Sequence, residues 1–158
     1  MKSATIQELK NELLHKNQKQ LVDICLRLSK FKKENKELLT YVLFESDNEQ
    51  AYINKVKEYI DAEFTYVDGR TNFYVLKKNI RKILRLTKMQ IKYSNSKIVE
   101  IELLLHFCES LKKWEIPFAK NLVLQNIYDN QLKKVEKTLA TLHEDLQYDY
   151  SRKLAAIM

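Results

Sequence analysis

The sequence predicts an all-α fold: an antiparallel helical bundle or short α-solenoid of about seven helices, ending in a long C-terminal helix. Three observations predict it. Glycine and proline occur once each in 158 residues, as Gly69 and Pro117; hairpins, barrels and phosphate-cradling loops all need glycine's access to positive φ. Leu, Lys, Glu, Gln and Ile are abundant, which favours helices. Apolar residues recur at helical spacing along most of the chain. The hydrophobic fraction of 45% suffices for a buried core, so residues 1–158 read as one helical domain, with halves 1–67 and 70–158 as the alternative division.

The elements follow in order. Thr5 and Glu8 form a capping-box pattern that opens a first helix through Leu14. Asn17 and Gln20 repeat it before a second helix with Leu21, Ile24, Cys25 and Leu28 on one face. Lys32-Lys33-Glu34-Asn35 interrupts the apolar period, and a third helix carries Leu38, Leu39, Val42 and Leu43. Ser46-Asp47-Asn48 is a turn and cap cluster. The fourth helix places Ile53, Val56, Tyr59, Ile60 and Phe64 together. Asp68-Gly69-Arg70 predicts a turn between the two halves of the bundle. A fifth helix over 72–92 buries Phe73, Leu76, Ile80, Ile83, Leu84 and Ile91. After Ser94-Asn95-Ser96, a sixth buries Ile98, Ile101, Leu104, Leu105, Cys108 and Leu111. Pro117 suits the first turn of a seventh.

No glycine or proline stops that last helix. Tyr128, Leu132, Val135, Leu139, Leu142 and Leu146 alternate spacings of four and three, a heptad-like seam. It serves either the packing of one long helix within the bundle or a partner, including a second copy in a coiled-coil homodimer. A faint repeat aligns Leu21, Cys25, Leu28, Lys30 and Phe31 at constant offset with Leu104, Cys108, Leu111, Lys113 and Trp114. A duplicated helical hairpin and chance similarity both explain it.

The charge is local. The chain has 28 Lys and Arg against 21 Asp and Glu, a net +7. Nine of the basic residues fall between Gly69 and Val99, where no acid occurs. Lys78, Arg81, Lys82, Arg85, Lys88 and Lys92 share one face of the fifth helix, away from its apolar stripe. Three readings compete: a solvated face balanced by acids such as Glu58, Asp61 and Glu63; a phosphate-binding face for nucleic acid; and a face that docks on an anionic membrane or acidic partner. The last conflicts with the core's need for the same helix.

Residues Leu21 to Phe44 read as helix, short basic linker, second helix, with Lys36 before Leu38 and Leu39. The segment resembles the SAP nucleic-acid-binding motif in outline, although Lys33-Glu34-Asn35 stands where that family carries a linker glycine. The resemblance implies DNA binding. Lys30 to Leu39, Lys-Phe-Lys-Lys-Glu-Asn-Lys-Glu-Leu-Leu, also resembles a segment of uncharacterised bacterial all-helical proteins, which implies a bacterial source and no activity.

Catalytic and metal constellations are not expected. Glu12 and His15 have Glu-x-x-His spacing, but a di-iron bundle needs a second such motif and two further glutamates. Glu102 and His106 could share a helix face, yet two ligands make no site. Cys25 and Cys108 sit on apolar stripes and read as small buried hydrophobes; their separation and number suit a reducing, cytoplasmic compartment. No cofactor is implied. The polar start at Met1 to Glu8 predicts no secretory signal, and apolar runs as short as Leu103-Leu104-Leu105 predict no membrane insertion. Tyr52, Tyr59 and Tyr66 recur every seven residues and, with Tyr41, Tyr74 and Tyr93, read as boundary residues with wet hydroxyls; stacking on bases is the alternative. The functional expectation is a non-enzymatic interaction protein with a protein partner; the alternative is a nucleic-acid-binding protein that uses helix 72–92.

Overall fold

The computed structural model describes residues 2–67, 72–113 and 121–157. The expected turn at Asp68-Gly69-Arg70, the Pro117 helix start and Trp114 lie outside the described residues. The described chain is all-α: α1 (Ile6–Leu14), α2 (Gln18–Phe31), α3 (Lys33–Thr40), a π-helical turn at Tyr41–Glu45, α4 (Glu49–Thr65), α5 (Phe73–Ser94), α6 (Lys97–Lys113), α7 (Leu122–Leu139) and α8 (Glu144–Ile157). They fall into two compact units, residues 1–44 and 45–158.

The N-terminal unit holds α1 to α3. Both capping boxes form: Thr5 with Glu8 opens α1 and Asn17 with Gln20 opens α2, so reciprocal side-chain bonds satisfy donors that a helix start leaves unpaired. Helices α2 and α3 pack on each other, and Asn35 Nδ2 ties them through the Leu28 carbonyl at 2.9 Å. Burial is sparse. None of α1, α2 or α3 contains a buried residue, and Cys25 is exposed, against the expectation of a buried thiol. Three short helices lack the second layer needed to enclose an apolar stripe.

The second unit is a bundle built around α6, which packs against α4, α5, α7 and α8. The sequence of α6 explains this position. Val99, Ile101, Leu103, Leu104, Leu105, Phe107, Cys108 and Leu111 are all buried, and a helix apolar on every side belongs inside. Ile53, Val56, Ile60 and Phe64 of α4 and Leu76, Ile80 and Ile83 of α5 close on it. Phe64 meets Phe107 at a ring separation of 5.7 Å, tilted by 47°. The burial of Leu104, Cys108 and Leu111 contrasts with the exposure of Leu21, Cys25 and Leu28, so the two aligned segments occupy unlike environments.

Two expectations for the C-terminal region are corrected. The long final helix is two helices, α7 and α8, separated at Ala140–His143. The Thr141 hydroxyl donates to the Thr138 carbonyl at 2.7 Å and Gln147 Nε2 to the Leu142 carbonyl at 2.7 Å, so side chains satisfy carbonyls freed by the break. The seam is also divided by it. Tyr128, Leu132, Val135 and Leu139 are buried within the unit, while Leu142, within the break, and Leu146, beyond it, are half-buried. A continuous six-residue coiled-coil surface does not exist, because the bundle core uses its first four positions.

Polar tethers fix the outer helices to α6. Glu102 receives Lys57 of α4 at 2.5 Å and Lys153 of α8 at 2.6 Å. Glu100 accepts the Thr138 hydroxyl at 2.6 Å and pairs with Lys134 at 3.3 Å, both on α7. The Tyr128 hydroxyl and Lys112 both donate to the Ile157 carbonyl at 2.7 Å, capping the end of α8.

Candidate functional site

The cationic face of α5 is built as its sequence requires. Leu76, Ile80, Ile83, Thr87 and Tyr93 turn inward. Lys78, Arg81, Lys82, Arg85, Lys88 and Lys92 are all exposed on the other side. Neighbouring acids neutralise little of the row. Glu63 of α4 takes Lys82 at 2.9 Å, and that hydrogen bond raises the Lys82 ammonium above its ordinary pKa. Asp61 is engaged elsewhere: its Oδ1 lies 2.8 Å from His106 Nε2 and accepts the Ser110 hydroxyl at 3.0 Å. Lys78, Arg81, Arg85, Lys88 and Lys92 have no carboxylate within ion-pair distance among the described residues.

The two ends of the row differ. At the N-terminal end, Tyr74, Lys77, Lys78, Arg81, Lys82 and Arg85 line a shallow depression of 420 Å³. Tyr74 is exposed there, and the Lys77 ammonium lies 5.7 Å from its ring centre and 5.9 Å from that of Phe73. At the C-terminal end the row runs into a groove of 710 Å³ between α5, α6 and α7. Lys88 and Lys92 of α5 face Lys97 of α6 and Lys133, Lys134 and Lys137 of α7 across it. Glu100 is the acid in its wall, and it is already engaged by Lys134 and Thr138.

Sequence reading missed the four lysines from α6 and α7. Lys133, Lys134 and Lys137 are visibly spaced for one face of a helix, but nothing local says that this face meets the end of α5. Asn95 creates that meeting. It takes a left-handed conformation, φ 51° and ψ 26°, closes α5 through its N–H to the Ile91 carbonyl, and lets Ser96 cap α6 at once, with its hydroxyl accepting from Val99 N–H.

The histidine and cysteine candidates settle into other roles. His15 Nδ1 lies 2.7 Å from the Asn11 carbonyl on its own helix. Glu102 and His106 do not converge: Glu102 binds two lysines and His106 binds Asp61. Asp61, His106 and Ser110 are the residue types of a hydrolytic triad, but Asp61 sits between the other two, whereas nucleophile activation needs the histidine there. No group of three or more His, Cys, Asp or Glu among the described residues could hold a metal ion. Cys108 is buried, and burial, reinforced by the charges of Glu109 and Asp129, pushes its thiol up to about 12. Of the tyrosines, Tyr52 fits the boundary role, its ring buried and its hydroxyl bound to Gln90; Tyr59 and Tyr66 are exposed. No described helix is long and apolar enough to cross a membrane.

Comparison with protein-family models, with curated proteins and with solved structures finds no match to this chain.

Proposed function

We propose that this chain is a non-catalytic binding protein whose ligand is nucleic acid, held through its phosphates by the cationic face of α5. The observation that supports the reading is the set of five exposed cations, Lys78, Arg81, Arg85, Lys88 and Lys92, with no carboxylate partner among the described residues, on a helix that contains no acid. Lys78 to Lys92 spans about 21 Å of helix, which lies opposite roughly a dozen phosphate charges of a duplex. Such a row gains affinity by releasing counterions and carries little sequence preference. The test is binding of DNA and RNA fragments over a salt series, with a Lys78→Glu/Arg81→Glu/Arg85→Glu/Lys88→Glu variant beside the parent chain. Log affinity of the parent should fall linearly with log salt, and the variant should lose binding to all sequences alike. Absence of affinity at low salt, or an unaffected variant that remains folded, refutes the reading.

A protein partner is the second reading, and a separate observation favours it. Large apolar side chains are exposed along the N-terminal unit, among them Ile6, Leu14, Leu28, Phe31, Leu43 and Phe44, each more than half accessible. Exposed apolar side chains in this number on a unit of 44 residues favour burial against a protein partner. Light scattering at two concentrations addresses self-association: a mass that rises with concentration and reverts in Leu28→Ser/Phe31→Ser supports a homodimer through this unit, and a strict monomer excludes it.

A further inference from the structure

We infer that the groove between α5, α6 and α7 is a binding site for a compact polyphosphate. The inference shares Lys88 and Lys92 with the nucleic-acid reading and does not depend on it, since the other four lysines come from α6 and α7. Three features of the groove carry it.

The first is convergence. Six lysines from three helices surround one volume of 710 Å³, within the range of about 300–1,000 Å³ that small-molecule sites occupy. A strand of nucleic acid is served by cations in a line; cations on three sides of a concavity suit charge concentrated in one small molecule. The wall adds Asn95, Ser96, Asn130 and Gln131 as further hydrogen-bonding groups and, among the described residues, contains no aromatic ring. Phosphate oxygens therefore have partners here and a stacked base has none.

The second is uncompensated repulsion. Lys88 with Lys92 and Lys133 with Lys137 are like-charge pairs at i, i+4, which destabilise a helix. Among the described residues, one carboxylate, Glu100, faces six ammonium groups. Lys92 and Lys137 also lie in the last turns of α5 and α7, where a cation complements the helix dipole. Lys133 and Lys134 have no such role.

The third is the position of Lys97. It is the first residue of α6, where the helix dipole disfavours a cation and favours an anion. A polyphosphate at this point meets the Lys97 ammonium and the start of α6 together. Lys97 reaches the Thr141 carbonyl at 3.5 Å, a long contact that leaves its other donors for a ligand.

The experiment is calorimetric titration of the full chain with tripolyphosphate at fixed ionic strength, with sulfate as the control anion and thermal melts alongside. One saturable site is expected, with sulfate binding much more weakly and the melting temperature rising with tripolyphosphate. Lys133→Gln/Lys137→Gln should weaken binding about tenfold or more, and so should Lys92→Gln/Lys97→Gln. Lys78→Gln/Arg81→Gln, on the far end of α5, should hold affinity within about twofold, a difference under 0.5 kcal/mol. Unliganded Lys133→Gln/Lys137→Gln should melt no lower than the parent, because the substitution relieves repulsion. The inference is overturned by the lack of a saturable tripolyphosphate site, by equal binding of sulfate, or by equal losses at both ends of α5. Nucleic acid enters as a separate arm. Tripolyphosphate binding without DNA or RNA binding supports the groove and rejects the earlier reading. DNA or RNA binding without a tripolyphosphate site does the reverse.

Discussion

At the scale of single residues, Glu102 ties two outer helices of the second unit to α6 through one carboxylate. Lys57 of α4 and Lys153 of α8 both bind its carboxylate, and the Tyr150 phenol, itself buried, is pushed upward in pKa first by burial and then by the Glu102 charge. Burial alone would raise the Glu102 pKa. The hydrogen bonds from Lys153 and Lys57 outweigh it and bring the carboxyl to about 2, against an ordinary 4.5. A folded pKa below the unfolded one stabilises the fold above the unfolded value and ceases to do so as pH falls through the folded one. The Glu102 contribution is therefore complete above pH 4.5 and disappears toward pH 2. Glu102→Gln should lower unfolding free energy at pH 6 by about 1.5–3 kcal/mol, the range for hydrogen bonds to charged groups. Urea titrations at pH 6 and pH 3 check it: the gap between variant and parent should shrink at pH 3, and a constant gap would contradict the assignment. The sequence could not single out Glu102. Glu102 is one of three glutamates on α6, with Glu100 and Glu109, and reads as part of the helix's wet edge until α4 and α8 are known to close over it with lysines.

At the scale of elements, local signals were legible and long-range ones were not. Thr5 with Glu8 and Asn17 with Gln20 announce helix starts because both halves of a capping box lie within four residues. The apolar spacing of α4, α5 and α6 found most of their buried faces for the same reason. The division of α7 from α8 escaped, since Ala140-Thr141-Leu142-His143 contains neither glycine nor proline and the break is held by side-chain bonds to freed carbonyls. The α5–α6 junction is similar: Asn95 takes the left-handed conformation that glycine usually supplies, so a chain with one glycine still turns sharply. This junction brings the end of α5 to the start of α6 and so builds one wall of the lysine groove. Asn95→Ala should cost about 1 kcal/mol, because a Cβ without a polar group is strained at positive φ. Asn95→Gly should be neutral within a few tenths of a kcal/mol, because glycine takes the same conformation without strain. Chemical denaturation of the pair distinguishes this from a side-chain bond at Asn95, in which case both substitutions would be equally damaging.

At the scale of the whole chain, the two units differ in how they are stabilised, and that difference has a measurable consequence. In residues 45–158, α6 is enclosed by four helices and most of its residues are buried. Opening it requires disruption of the bundle, so its amides should exchange only with global unfolding. Among the described residues of 1–44, Tyr41 is the buried apolar one. Helices α1, α2 and α3 have 9, 14 and 8 residues, and isolated helices shorter than about 12–15 residues are marginal in water even with good caps. The capping boxes of α1 and α2 contribute about 0.5–2 kcal/mol each, and α3, which has no side-chain cap, depends on its packing against α2. Hydrogen exchange of the full chain should therefore resolve two classes. Amides of α1 to α3 should exchange at least about thirtyfold faster than those of α6, a difference of roughly 2 kcal/mol in opening free energy. Equal protection in both units would mean that residues 1–44 open only with the bundle, contrary to their exposure. Addition of a protein that covers Leu28 and Phe31 should slow exchange in α2 and α3 selectively, whereas tripolyphosphate should slow it at the α5–α6 junction and in α7. The same measurement thus assigns each ligand class to its own unit of the chain.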